Sequence, residues 1–162
     1  MQKIVTHLWY PEKAEEAAAF YSSLIPNSSV DSVTDLPVDS PSGPAGSVQV
    51  VDFTLGGVKF QAINAGPLDP FNHSISLIIN CDTQEEIDRL WDGLAQGGEH
   101  EECGWLKDKY GVSWQIVPSI LDDMMKDKDE ARAKRVSEAM LGMKKLDIAG
   151  LKQAYEGNLV AR

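Results

Sequence analysis

Residues 102–118 read Glu-Cys-Gly-Trp-Leu-Lys-Asp-Lys-Tyr-Gly-Val-Ser-Trp-Gln-Ile-Val-Pro. Two β-prone runs, 101–107 and 111–117, flank the turn-forming Asp108-Lys109-Tyr110, so the segment predicts a pair of strands. Immediately upstream, 73–80 predicts another strand. Asp82 or Thr83 then caps a helix that carries Glu85 and Glu86 in its first turn, runs to Gln96 and is closed by Gly97-Gly98. A third strand after this helix has room only near 98–102.

The first half of the chain has the same order. Residues 3–9 alternate as a strand, and the Ala- and Glu-rich 11–25 predict an amphipathic helix with Pro11 at its first position and Pro26-Asn27 at its end. Strands follow at 29–38, 47–55 and 58–63, the last two joined as a hairpin across Gly56-Gly57. Pro41-Ser-Gly-Pro-Ala-Gly46 between them is a loop by composition. Beyond 118 the pattern turns helical to about residue 155. Met124, Met125, Val136, Met140, Met143, Leu146 and Leu151 supply an apolar side, and Gly142 and Gly150 mark breaks. Such an appendage packs against the domain core or a second subunit. Residues 157–162 read as a tail.

A chain of 162 residues buries an adequate core without disulfides, and its 43% apolar and 25% charged composition is that of a globular protein. Cys81 and Cys103, 22 positions apart without a CxxC or neighbouring His, read as reduced structural thiols. The formal charge of −10, with basic residues scattered among acids, argues against nucleic acid as a partner. No apolar run spans a membrane and the first ten residues do not resemble a signal peptide, so a cytoplasmic location is expected.

The block 102–118 resembles the PhnB-like branch of the vicinal oxygen chelate superfamily, often labelled the 3-demethylubiquinone-9 3-methyltransferase domain. Other stretches share the resemblance: Leu8-Trp9 leading into 17–21, Phe60-Gln-Ala-Ile-Asn-Ala-Gly-Pro67, Ile75-Ser76, the helix 85–94 and Ala139-Met-Leu-Gly-Met-Lys-Lys-Leu-Asp147. It covers about residues 3–156. It implies an α+β, glyoxalase/bleomycin-resistance-like fold of two βαβββ modules, at about 1–66 and 67–118. Residues 119–156 would be a C-terminal helical extension of the same domain. Each module's sheet would curl into a half-barrel around a ligand cleft, usually in a homodimer.

Metal-dependent members of the superfamily collect His, Glu or Gln from inward positions on the first and last strands of each module. The resemblance therefore nominates His7 (Thr6 if the register slips), Gln61, His73 and Gln115 as ligands of a divalent metal, the one candidate cofactor. Gln61 and Gln115 stand where Glu is common, and neutral amides are weak ligands. His7 reads equally as a half-exposed strand residue, and His73 as a loop residue bonded to backbone. A polar amide between Phe60 and Ala62, or between Trp114 and Ile116, faces a polar cavity or needs buried partners.

Trp9, Phe53, Phe60, Phe71, Trp105 and Trp114 are candidates for a hydrophobic pocket or for core. The ligand-binding set is thus His7, Trp9, Phe60, Gln61, His73, Trp105 and Gln115. No Gly-x-Ser-x-Gly elbow occurs, and Glu101 and Glu102, adjacent on an expected strand, point to opposite faces. A nucleotide-type methyltransferase would need a Gly-rich turn between strand and helix, and none is present. The expected function is binding of a small, partly apolar molecule, the alternative a divalent-metal-dependent isomerase, lyase or group-transfer enzyme.

Overall fold

The computed structural model describes residues 2–157, so the expected tail falls, beyond Gly157, outside the described residues. In chain order the elements are β1 (Thr6–Tyr10), α1 (Ala14–Leu24), β2 (Ser29–Asp35), β3 (Gln49–Leu55), β4 (Val58–Asn64), β5 (Ser76–Cys81), α2 (Gln84–Leu94), β6 (Glu99–His100), β7 (Trp105–Lys107), β8 (Ser113–Pro118), α3 (Leu121–Met125), α4 (Glu130–Leu141) and α5 (Ile148–Glu156). Strand, helix and three strands occur twice, and three helices follow: the α+β order expected. The chain divides into two compact units, one up to Pro70 and one from Phe71 onward.

In the first unit the sheet order is β1-β4-β3-β2, with β1 and β4 parallel and the other pairs antiparallel. Leu8 and Tyr10 alternate with His7 and Trp9 along β1, and the first pair is buried against α1 together with Val51, Phe53 and Ala62. Ala14, Ala17, Ala18 and Tyr21 form the buried side of α1, and its three alanines bring the helix close to the sheet. The helix begins at Ala14, three residues later than Pro11 suggests. Lys13 at its N-terminus adopts a left-handed φ of 68° and offers no side-chain cap. Instead the Ala14 N–H donates to Asn64 Oδ1 at 2.6 Å, tying the helix start to β4.

β2 stops at Asp35, not at 38, because Pro37 has no N–H to continue a ladder. Its register shifts between Val30 and Ser32, leaving Asp31 as a bulge residue. Gly56 and Gly57 both have positive φ, 55° and 81°, as the tight β3–β4 hairpin requires.

In the second unit the order is β5-β8-β7-β6, with β5 and β8 parallel. Thr83 is the cap of α2, accepting from the Glu86 N–H, and Glu86 reaches back to the Asp82 N–H. Ile87, Leu90, Trp91 and Leu94, at helical spacing, are buried. The third strand for which 98–102 left room is the two-residue β6. Gly98 precedes it because a Cβ there would lie 2.1 Å from the Lys107 carbonyl oxygen.

The β7–β8 turn is built on Asp108, only 2% exposed, which accepts from the Tyr110 and Val112 N–H groups and from Trp114 Nε1. The strands expected at 101–107 and 111–117 are correspondingly shorter. Glu101 and Glu102 lie in the loop between β6 and β7, not on a strand.

The C-terminal helices share a core of Leu121, Val136, Leu146 and Leu151. Gly142 ends α4 as expected, but Gly150 lies within the first turn of α5, whose cap Asp147 accepts the Gly150 N–H. The extension is stitched to the sheet's own loops. Cys103 and Gly104 N–H donate to the carbonyls of Met143 and Lys144 at 2.9 and 2.8 Å, and the Gln84 side chain bridges Leu146 and Ile148.

Candidate functional site

Each sheet packs its helix on one face and leaves the other face free of its helix, so strand parity decides which residues share that face. On the helix-free face of the first unit, the register aligns His7, Gln61, Asp52 and Ser32 as one row across four strands. Gln61 Nε2 donates to Asp52 Oδ1 at 2.8 Å, and Ser32 Oγ to Asp52 Oδ2 at 3.0 Å. Beside this row Asp31 accepts from Lys59, Thr54 and Ser29, and these bonds, that to Lys59 foremost, hold its carboxyl down at about 2. Trp9 shares the face and donates through Nε1 to the Gly66 carbonyl at 2.9 Å.

His7 rather than Thr6 therefore lies with Trp9 on the helix-free face of β1. Phe60 is not on that face: it alternates to the helix side, where it stacks on Phe53 with ring centroids 5.4 Å apart. Phe53 and Trp114 are likewise core. Of the six aromatic candidates, Trp9 and Trp105 are the strand residues on helix-free faces.

In the second unit the helix-free positions are Ser76, Ile78 and Asn80 on β5, Ser113, Gln115 and Val117 on β8, and Trp105 and Lys107 on β7. Gln115 Nε2 donates to Ser76 Oγ at 2.8 Å, which leaves Oε1 as an acceptor. His73 is outside the sheet. Asn72 Oδ1 accepts from the Ser74 N–H and turns the chain through His73, so the extended strand begins only at Ser76. The His73 imidazole lies 2.9 Å from both Glu101 carboxylate oxygens and tilts against the Trp105 ring, with centroids 6.0 Å apart.

Over this face lies a cavity of about 640 Å³. Ile78, Asn80, Trp105, Gln115 and Val117 form its floor. Its wall comes from the helical extension, with Asp122, Asp123 and Met125 at α3 and Met140 on α4, while Cys103 closes one side. Its size lies within the roughly 300–1,000 Å³ of small-molecule sites. Ile78, an apolar floor residue, is 56% exposed. Strand alternation in 73–80 and 111–117 contains the floor residues Ile78, Asn80 and Val117, but nothing in the sequence ties the α3 carboxylates or Met140 to that face.

The structure pairs His7 with Gln61 within one unit and places Gln115 on the equivalent strand of the other. The β5 residue in register with Gln115 is Ile78, where β1 has His7 opposite Gln61. The inward positions of β5 and β8 hold Ser, Ile, Asn, Ser, Gln and Val, with no imidazole and no carboxylate. Among the described residues no three His, Cys, Asp or Glu side chains gather as a metal site. The donor set thus does not fit a divalent ion drawn from the first and last strands of both modules.

A protein-family model described as 3-demethylubiquinone-9 3-methyltransferase matches residues 2–117. A comparison with curated proteins finds no match. Among solved structures, a PhnB protein from Bacillus cereus described as a putative 3-demethylubiquinone-9 3-methyltransferase is 38% identical. The match covers 72% of this chain and 99% of that one, with a TM-score of 0.63. The fosfomycin resistance protein FosX from Listeria monocytogenes, as a mutant complexed with Mn(II) and a dihydroxypropylphosphonic acid, is similar in fold at 13% identity. That match covers 78% of this chain and all of the other, with a TM-score of 0.56. Glyoxalase I from Leishmania major is similar at 16% identity, 86% and 99% coverage and a TM-score of 0.50.

Proposed function

This chain belongs to the 3-demethylubiquinone-9 3-methyltransferase family, a PhnB-like member of the vicinal oxygen chelate superfamily, and from that premise we propose that it binds a small, partly apolar molecule without needing a resident metal. The cavity over β5, β7 and β8 carries this reading. Its floor offers the Trp105 ring, the exposed Ile78 side chain and the free carbonyl of Gln115 side by side. Covering apolar surface there yields roughly 25 cal/mol per Å². The amide carbonyl orients a ligand donor, and the ring stacks on a flat group.

Screening apolar small molecules by thermal stabilisation, each with and without EDTA, tests the proposal. Stabilisation is expected to persist in chelator and to weaken at least about tenfold in Trp105→Ala. Hits that vanish in EDTA would overturn it. We propose further that the protein acts in the cytoplasm as a homodimer, which light scattering at micromolar concentration checks.

A metal-dependent enzyme is the second reading. It is favoured by the row of His7, Gln61 and Asp52 on one face and by FosX, a protein of similar fold solved with Mn(II). Near-stoichiometric divalent metal lost on His7→Ala is what this reading requires. Methyl transfer receives no support from the strand-to-helix turns. These are Pro11-Glu12-Lys13 and Asp82-Thr83, neither of them the glycine-rich turn that cradles a nucleotide-type cofactor.

A further inference from the structure

We infer that the ligand of the second unit's cavity is an organic cation, an amine or quaternary ammonium joined to a flat apolar group. The inference rests on the small-molecule reading above and adds a charge class to it. Among the described residues every charged side chain lining the cavity is a carboxylate, Asp122 and Asp123 on the first turn of α3, and no lysine or arginine lines it. Lys126 pairs with Asp122 at 2.6 Å, but no basic side chain bridges Asp123 among the described residues.

The floor accommodates such a ligand. The π-face of Trp105 attracts a cation as well as an aromatic ring, and Gln115 Oε1 accepts from an N–H donor. An anionic ligand finds no counter-charge on floor or wall. The formal charge of −10 adds a long-range field that draws cations toward the site and repels anions. Apolar floor, aromatic platform and acidic rim thus make an amphiphilic site with its negative end at α3.

Three naphthalene probes of similar size separate the alternatives: 2-naphthylmethylammonium, neutral 2-naphthalenemethanol and 2-naphthoate, each titrated calorimetrically into the full chain. The cation is expected to bind about three- to tenfold more tightly than the alcohol, and the anion more weakly than either. Asp122→Asn with Asp123→Asn, both exposed, should bring the ratio of the cation's affinity to the alcohol's down to about one. Raising salt from 50 to 500 mM should have the same direction.

If the alcohol or the naphthoate binds as tightly as the cation, or the double variant changes nothing, the charge assignment is wrong while the cavity remains a binding site. If none of the three binds and none protects Cys103 from alkylation, the cavity reading fails as well, and the inference with it.

Discussion

At the scale of single residues, the two thiols differ because of what surrounds them. Cys81 is fully buried at the end of β5, and burial, with Glu86 adding in the same direction, pushes its thiol up to about 12. Cys103 is half-buried in the cavity wall. Iodoacetamide at pH 8 should therefore modify Cys103 and spare Cys81 in the folded protein, as peptide mass mapping would show. A cavity ligand should slow that reaction, which makes Cys103 a native reporter of occupancy.

Asp31 gives a second residue-scale test. Its carboxyl is held below its usual 3.8, first by the bond from Lys59 and then by those from Ser29 and Thr54. A depressed carboxylate contributes stability that is fully present above about pH 4 and is lost as the pH falls through 3.8 toward 2. Lys59→Ala should move the Asp31 titration, followed by carboxyl NMR, back toward 3.8 and shrink that acid-dependent loss.

Among the elements, the β7–β8 turn depends most on one side chain. Asp108 is buried, and its carboxylate accepts two backbone N–H groups and the Trp114 indole. Asp108→Asn keeps the shape but turns an amide donor toward one of these donors. It should cost about 3 kcal/mol in urea unfolding, whereas Asp123→Asn should cost under about 0.5. The turn itself was legible in the sequence, as were the Gly56-Gly57 hairpin and a cap at Asp82 or Thr83, which the structure assigns to Thr83, because each is decided by residues within four positions.

What was not legible depended on side chains that meet across the fold. The β-prone run 73–80 predicts His73 at the opening of a strand, whereas the structure has it in the Asn72 turn, against Glu101 and outside the sheet. Gly150 looked like a helix break, but a glycine three residues after the Asp147 cap simply donates its N–H to that cap. Phe60 and Gln61 are adjacent, so the parity of one strand separates the helix side from the helix-free face. That parity follows from burial of Leu8 and Tyr10 under α1, which the alternation alone left open by one register step.

For the whole molecule, the C-terminal extension lines the second unit's cavity. It supplies a wall of the cavity, and Met143 and Lys144 accept the N–H groups of Cys103 and Gly104. A chain ending at residue 118 should lose cavity ligands, and its Cys103 and Gly104 amides should exchange with solvent far faster than in the full chain. No helix among the described residues is long and apolar enough to cross a membrane. The paired βαβββ order and the family were readable from motifs spread over most of the chain. The wall was not, since nothing local in α3 or α4 announces which face they cover.

The most direct test is an amide NMR titration of the full chain in EDTA with the best stabilising small molecule. Shift changes are predicted at Ile78, Trp105, Gln115 and Met140, with an affinity equal to that measured without chelator. Changes confined to the His7, Asp52 and Gln61 row, or binding restored only by added Mn(II), would contradict a metal-independent ligand site in the second unit.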